Sequence, residues 1–391
     1  MPPGGLPCSR RSYPEGVSTP LHFGDFIGNT ATVHQLRRAI ANGRLPHSML
    51  LSGPAGAGKY TLSLLLTMAL LCERQPREPH PDGDLASFCG ECRHCTRIVA
   101  SLDLSALVAA AVAAREDLRE TDKKETRVLI QTHPDVLVLP PDPPQLLVKL
   151  GQVRTLIGTI YSLPNEAKRR VYLFPSAAFM KEAANSLLKV LEEPPQYAHI
   201  ILMAEHPGEL LPTIRSRCAP VRLGGLPLAA LEALLAERKP EQKPQQRALV
   251  ARLAQGAAGR ALTFDIEAYS SARADAIVLL RSAINSPGHS DLFRTTETYR
   301  AGAEGQQKTQ AMLSALASVL EDLLLLRSHA SDRVRNVDLL HDLEGLADSV
   351  SFAWIESAVH NLDAVHSGMR RNLLRSLSLD AFAESLSGSL A

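Results

Sequence analysis

Short apolar runs alternate with helical patterns over the first 225 residues of the chain. Mostly apolar runs occupy positions 48–51, 135–139, 171–174 and 199–203, and their lengths are typical of buried strands. Between the last two runs, apolar side chains recur at helical spacing, at Met180, Ala183, Ala184, Leu187, Leu188 and Leu191. Strands that alternate with helices predict a parallel sheet covered on both faces, so the predicted fold class here is α/β.

The rest of the chain has a different, helical texture. Residues 226–265 predict a small domain of short helices, and residues 266–391 predict a larger all-α domain. Residues 1–20 are rich in Pro, Gly, Ser and Arg and predict a disordered tail. Within the α/β domain at 21–225, residues 101–130 interrupt the alternation, which indicates a helical insertion on the surface.

Composition and charge narrow the possible functions. The chain has 391 residues, enough for two or three domains. Aromatic residues make up only 4%, which argues against a nucleic-acid binder that works by base stacking, and a net charge of +1 gives no general attraction to DNA or membranes. No run of 18 apolar residues and no N-terminal signal core are present, so we expect a cytoplasmic protein without a membrane span.

A candidate phosphate-binding loop follows the first predicted strand and precedes a predicted helix. Residues 53–59 fit the pattern G-x-x-x-x-G-K, and that context supports the match. The glycines that would let backbone N–H groups turn onto phosphate oxygens are Gly53, Gly56 and Gly58. Lys59 would contact the terminal phosphates at the helix N-terminus. The loop is a candidate site for ATP or ADP, or a loop that keeps its shape and binds nothing.

The residues that would hold magnesium and position water are missing. Tyr60 replaces the Ser or Thr that ligates the metal, and Thr61 is a poor substitute because one helical residue rotates a side chain by about 100°. The strand at 170–174 runs into Pro175 and Ser176 rather than into carboxylates. The nearest acids in sequence are Glu182 and Glu192 on the next helix, and Glu205 after the next strand. We therefore expect no intrinsic ATPase, with Glu205 as the acid that could face the site.

A cysteine cluster predicts a metal site. Four of the six cysteines are close in sequence: Cys72, Cys89, Cys92 and Cys95. Four thiolates give the closed tetrahedral site of a structural zinc ion, and no open coordination position is evident. His94 or His80 could replace one ligand, and reduced cysteines without a metal are the other alternative.

Several segments together resemble the bacterial DNA polymerase III clamp loader family. They are EAANSLLKVLEEPP at 182–195, LPTIRSRC at 211–218, THPD at 132–135, and the zinc knuckle at 72–95 inserted after the phosphate loop. The resemblance is specific over about 21–225 and rests on helical character beyond about 270. It implies an AAA+ P-loop domain at 21–225, a helical lid at 226–265 and an oligomerising helical collar at 266–391.

Within that family the chain is most similar to the delta prime subunit, with the gamma/tau motor subunit as the alternative. Motor subunits keep the acidic pair and the hydroxyl residue that Pro175, Ser176 and Tyr60 replace here. The resemblance implies that Arg217, in Ser-Arg-Cys, is an arginine finger that acts in trans on a neighbouring subunit's ATP. Arg260 matches the lid arginine that senses nucleotide in active relatives.

The implied function is to help load the sliding clamp onto primed DNA during replication. The implied partners are the gamma/tau and delta subunits, with the clamp and primer-template DNA engaged through the assembly. Little independent activity is expected, because the enzyme would be the DNA polymerase holoenzyme as a whole. A motor ATPase that uses displaced acids such as Glu205 is one rival hypothesis, and a zinc-knuckle nucleic-acid-binding module unrelated to clamps is another.

Overall fold

The computed structural model describes residues 22–143, 145–285, 302–369, 381–382 and 385–386. The predicted disordered tail at 1–20 lies outside these residues, as does part of the predicted collar. Contacts within the chain divide it into two compact units, Met1–Gly225 and Leu226–Ala391.

The first unit is built on a six-stranded sheet. Its strands lie in the order β4-β5-β6-β7-β1-β8, and a separate two-stranded hairpin pairs β2 with β3. The strands are β1 Ser48–Ser52, β2 Arg77–Glu78, β3 Leu85–Ala86, β4 Ile130–His133, β5 Val136–Val138, β6 Arg170–Phe174, β7 Ala198–Ala204 and β8 Ala219–Arg222. All neighbouring pairs from β5 to β8 are parallel, whereas β4 runs antiparallel to β5.

Helices and two hydrophobic layers cover the sheet. The helices of this unit are α1 Thr30–Ala41, α2 Lys59–Leu71, α3 Arg93–Val99, α4 Leu104–Glu116, α5 Glu120–Glu125, α6 Leu150–Ile160, α7 Lys181–Glu192 and α8 Pro212–Arg215. Successive strand residues join opposite layers: Leu173 packs in the layer with α2, and Tyr172 in the layer with α6 and α7. Every residue of β6 and β7 is buried, and most are apolar, because both faces of the sheet are covered. The predicted α/β class is confirmed.

The region between α2 and β5 holds the elements that the sequence pattern left undefined. Residues 101–130 contain α4, α5 and the first residue of β4. Apolar side chains of α4, including Leu107, Val108, Ala111 and Val112, pack against the core layer next to α2. At the end of α4, Arg115 donates to Asp142 across 2.5 Å, and the Asp142 side chain is fully buried. The insertion is therefore attached to the domain by apolar contacts and by one buried ion pair.

The second unit is all-helical in its described part. Its helices are α9 Leu228–Arg238, α10 Pro244–Leu253, α11 Ala258–Leu262, α12 Ile266–Asn285, α13 Gly302–Arg327, α14 Leu340–Asp348 and α15 Phe352–Met369. Its core contains the fully buried Trp354, whose indole N–H donates to the carbonyl of Leu386. A buried polar network lies beside it, in which Asp322 accepts hydrogen bonds from both amide groups of Asn336.

One helix of the second unit has the length and composition of a membrane span. In the described residues, Lys308–Arg327 passes this test, and a second span passes only if α3 and α4, bent by 76°, count as one. In the structure, 56% of the Lys308–Arg327 stretch is buried inside the protein. Side chains such as Leu316 and Leu320 pack in the core of the helical unit, as expected for a central helix of a bundle.

Candidate functional site

The phosphate loop joins β1 to α2 with the backbone shape that its glycines allow. Gly56 and Gly58 have φ values of 78° and 82°, a region that favours glycine. A Cβ at Gly58 would lie 2.8 Å from the ring of Phe26, and one at Gly53 would lie 2.4 Å from the carbonyl oxygen of Leu223. The glycines are therefore needed here both for backbone conformation and for close approach by neighbouring segments.

Lys59 lies at the first position of α2 and turns back across the loop. Its ammonium group donates to the carbonyl oxygens of Gly53 at 2.6 Å and Pro54 at 2.9 Å. Burial lowers the pKa of Lys59, while the charges of Glu205 and Glu209 act in the opposite direction. Of the acids considered from sequence, Glu205 is therefore the one whose charge reaches Lys59.

The two residues after Lys59 have different environments. The Tyr60 hydroxyl donates to the carbonyl oxygen of Ser101 at 2.7 Å, and burial raises its pKa. This bond anchors Tyr60 to the segment that follows α3, so its hydroxyl already has a partner. Thr61 is half-buried in the first turn of α2. At the end of β6, the Ser176 hydroxyl accepts from the amide of Ala178 at 3.1 Å. Neither Tyr60 nor Ser176 carries a carboxylate, and the hydroxyl group of each is already engaged in a hydrogen bond to the protein backbone.

The four cysteines come together into one group. Their Sγ atoms all lie within 4.8 Å of one another: Cys72, Cys89, Cys92 and Cys95. Cys72 caps the end of α2, and Cys92 and Cys95 lie at the start of α3, so the chain must return through the β2–β3 hairpin to close the cluster. Four sulfur atoms at this spacing fit a metal ion with tetrahedral thiolate coordination.

Backbone N–H groups point at two of the sulfurs. The amides of Gln75 and Cys89 donate to Cys72 Sγ, both at 3.3 Å, and the amide of Cys92 donates to Cys89 Sγ at 3.3 Å. Burial acts to raise the pKa of Cys89, but these and other hydrogen bonds outweigh it and lower the pKa to about 7. Burial raises the pKa of Cys72 and of Cys95. Such N–H donors favour thiolates, the form that binds metal.

Neither histidine considered as a substitute ligand joins the cluster. The rings of His94 and His133 are hydrogen-bonded through Nδ1 and Nε2 at 2.7 Å, and both side chains are buried. His80 stacks edge-on against His34 with ring centroids 4.8 Å apart. Within the described residues, the group that could hold a metal ion consists of the four cysteines alone.

The Thr-His-Pro-Asp segment connects the knuckle and the insertion to the sheet. The hydroxyl of Thr132 bonds to that of Ser101 at 2.5 Å, and His133 bonds to His94 of α3. Asp135 is fully buried and accepts three backbone N–H bonds from residues 165–167. The sequence resemblance included this segment without a role for it. Its contacts show that it links α3 and the insertion to the sheet, which residue spacing alone did not predict.

Arg217 lies between α8 and β8, on a corner anchored by buried neighbours. Ile214 and Cys218 are buried at 0% and 6% exposure, whereas the Arg217 side chain is 31% exposed. Its Nε donates to Glu192 Oε1 at 2.7 Å, its Nη2 bonds the same oxygen, and its Nη1 donates to the carbonyl of Thr213 at 2.8 Å. Sequence reasoning considered Glu192 only as a replacement acid for the phosphate loop and missed this contact.

Arg260 belongs to the other unit. It lies on α11, is exposed, and lines a cavity of about 450 Å³ with Phe264, Tyr269 and Arg335. The predicted nucleotide-sensing role of Arg260 stays a prediction.

Residues 28–227, half of the chain, match a family described as DNA polymerase III, delta subunit. The chain belongs to this family. It is similar to the delta prime subunit of DNA polymerase III from Pseudomonas aeruginosa, with 34% identity over 44% of this chain and 41% of that protein. It is also similar to the delta prime subunit from Bacillus subtilis, with 26% identity over 79% of this chain and 81% of that protein. The predicted resemblance to DNA polymerase III clamp-loader subunits is confirmed by these matches.

Other relatives match over a smaller share of their length. The tau subunit of Escherichia coli DNA polymerase III is 28% identical over 64% of this chain and 34% of that protein. The chain thus spans about two fifths of the Pseudomonas relative and one third of the Escherichia one. Among solved structures, it is similar to a gamma subunit-related protein from Thermotoga maritima, with 18% identity, 92% and 100% coverage and a TM-score of 0.40.

Proposed function

We propose that the chain is a delta prime-type subunit of the DNA polymerase III clamp loader. It helps to load the sliding clamp onto primed DNA during replication and does not hydrolyse ATP itself. The observation that carries the proposal is the contrast within one domain. Arg217 is partly exposed on an anchored corner, while the domain's own phosphate loop has Tyr60 in place of a metal-binding hydroxyl and no carboxylate at the end of β6.

The chain's own phosphate loop would be catalytically idle. Hydrolysis needs an acid to hold magnesium and a residue to orient water. Lys59 is satisfied by the carbonyl oxygens of Gly53 and Pro54, and Tyr60 by Ser101. A bound ATP or ADP would rest on the N–H groups of the loop from Gly53 to Gly58 and would compete with those carbonyls for Lys59. Such a nucleotide would be a structural ligand and not a substrate.

Arg217 would act on the ATP of a neighbouring subunit. A guanidinium group placed beside a transferring phosphoryl group neutralises the charge that develops there, and it is worth ~10³ to 10⁵ in rate in GTPase systems. The short α8 helix and the buried Cys218 fix the backbone on both sides of the finger. The position of the Arg217 backbone is therefore set by packing before any partner arrives.

The rest of the chain would serve assembly. We propose that residues 21–225 form the AAA+ domain, residues 226–265 a helical lid that carries Arg260, and residues 266–391 the collar. The partners are the gamma/tau and delta subunits, and the clamp and primer-template DNA are reached through the assembled ring. The proposed location is the cytoplasm, where replication takes place. The delta prime names of the two relatives support this assignment.

We propose that the cysteine cluster holds one structural zinc ion. All four positions of a tetrahedron would be filled by Cys72, Cys89, Cys92 and Cys95, which leaves none for a substrate. The ion would fix the end of α2 to the first turn of α3, and so would stabilise the knuckle that carries His94. When bound, the metal supplies folding energy and no reaction step.

The ATPase of a reconstituted loader tests the function. Arg217→Ala should lower the kcat of the loader at least about tenfold, with its subunits still assembled. Arg215→Ala is the matched control, because it removes the same charge from an exposed side chain two residues away. Unchanged turnover in Arg217→Ala would refute the finger. ATP turnover by the isolated chain that is lost in Lys59→Ala would instead favour a motor subunit.

A further inference from the structure

Arg217 is already held by its own chain. Three of its nitrogen atoms have partners, and the strongest contact is with the carboxylate of Glu192, 25 residues earlier. A single carboxylate oxygen of Glu192 accepts from both Nε and Nη2, along the side edge of the guanidinium group. The carbonyl of Thr213 accepts from Nη1 on the opposite side.

We infer that Glu192 is the positioning residue for Arg217: by gripping the side edge of the guanidinium group, it leaves the outer edge directed at a phosphate of the neighbouring subunit. This inference rests on the proposed function. A guanidinium group has five N–H donors in a fixed plane, so a partner on one edge also sets the direction of the others. Nη1 bonds Thr213 and also, at 3.4 Å, the hydroxyl of Ser216, so the N–H that remains for a phosphate oxygen is the second one on Nη2.

The frame around this contact is rigid. Glu192 is the last residue of α7, and Leu191 and Val190 before it are buried in the core. Arg217 is followed by the buried Cys218, which begins the approach to β8. Both ends of the ion pair therefore project from fixed backbone, although the side chains themselves are 31% and 47% exposed. A long arginine side chain would otherwise occupy many rotamers, and only a few of them reach a given point in space.

The pair has little to contribute to folding, because exposed ion pairs add little to stability. Its value lies in orientation. An arginine finger that waits in one rotamer loses no further freedom when the neighbouring ATP is presented, and misplacement of a group at a reacting centre by about 1 Å can reduce the rate ~10²-fold.

The test is the ATPase of the reconstituted loader with Glu192 variants. Glu192→Ala should lower kcat by about ten- to a hundredfold with little change in the KM for ATP, because ATP binds to the neighbouring subunit. Glu192→Gln keeps an acceptor oxygen and should retain an intermediate kcat. Glu193→Ala is the matched control, since Glu193 is the next residue, is exposed, and carries the same charge. It should behave as wild type.

A second measurement reports on the contact without activity. In the isolated chain labelled with nitrogen-15, the Nε–H signal of Arg217 should exchange slowly and lose that protection in Glu192→Ala but keep it in Glu193→Ala. In the loader, Glu192→Ala added to Arg217→Ala should cause no further loss of kcat.

The outcomes separate the inference from the proposed function. If Arg217→Ala lowers kcat and Glu192→Ala does not, the positioning role is overturned while the finger stands. If Glu192→Ala raises kcat, Glu192 restrains the finger instead of aiming it, and the inference is again overturned. If Arg217→Ala itself leaves kcat unchanged, the proposed function fails first.

Discussion

The buried carboxylate of Asp135 provides a sharp test of how the domain is held together. Its Oδ1 accepts from the amide of Asn165 at 2.6 Å and from Arg170 at 3.3 Å, and its Oδ2 accepts from the amides of Glu166 and Ala167, both at 2.8 Å. The side chain is fully buried at the start of β5. Asp135→Asn keeps the shape but replaces one oxygen by an NH₂ group, which must face two donors whichever way the amide turns.

The expected loss follows from those contacts. Hydrogen bonds to a charged group contribute about 1.5–3 kcal/mol each, and buried donors left without a partner are penalised. Loss of two such bonds lowers local stability by ~3–6 kcal/mol, which corresponds to ~10²- to 10⁴-fold faster exchange of the protected amides. Burial acts to raise the pKa of Asp135, but the backbone donors and Arg170 outweigh it and lower the pKa. A lowered pKa means that the stabilisation is complete at neutral pH and is lost as pH falls below about 4.

Hydrogen exchange measured by mass spectrometry locates the effect. In Asp135→Asn, residues 163–174 should lose protection, while helix α14 in the second unit serves as an internal reference. Asp117→Asn is the control variant, because Asp117 is an exposed aspartate at the end of α4 in the same unit. Equal protection of residues 163–174 in both variants and wild type would show that the carboxylate does not support this segment.

Two further predictions concern the cysteine cluster and the phosphate loop. The purified chain should carry about one zinc ion per molecule by elemental analysis. Cys95→Ser should lose the ion and have a lower melting temperature, because three thiolates no longer close the tetrahedron. Full metal content in Cys95→Ser would contradict the assigned ligand set. In a urea titration, Gly58→Ala should lower the free energy of unfolding by ~1–3 kcal/mol, because the φ of Gly58 is 82° and a Cβ there would lie 2.8 Å from the Phe26 ring. Gly24→Ala is the control and should have little effect, because the space around Gly24 is open.

The positions of four strands of the sheet were predictable from the chain, whereas their order in the sheet was not. The runs that became β1, β5, β6 and β7 are mostly apolar, because both faces of the sheet are covered, and this pattern is readable locally. The pattern missed β4, β8 and the β2–β3 hairpin. Each of these strands is four residues or shorter, so none leaves a periodic signal of its own.

The residues of the candidate sites also divide into those that local sequence identifies and those that only long-range contacts reveal. Cysteine spacing was sufficient to single out Cys72, Cys89, Cys92 and Cys95, because metal ligation constrains residue type and separation along the chain. Spacing could not exclude His94 as a ligand, since its actual partner, His133, is 39 residues away. The position of Glu192 in the chain gave no indication of its contact with Arg217, because the two residues are 25 positions apart in sequence and come together only in space.

The sequence by itself determined the kinds of chemistry present: a phosphate loop without its acids, a four-cysteine cluster and a Ser-Arg-Cys segment. These depend on residue identity and local spacing, which folding does not alter. Only the tertiary structure decided what those residues contact. Lys59 turns back onto Gly53 and Pro54, and Glu192 meets Arg217 across the α7–α8 packing. The first contact depends on how the loop folds back on itself, and the second joins segments 25 residues apart whose distance is set by packing of the core.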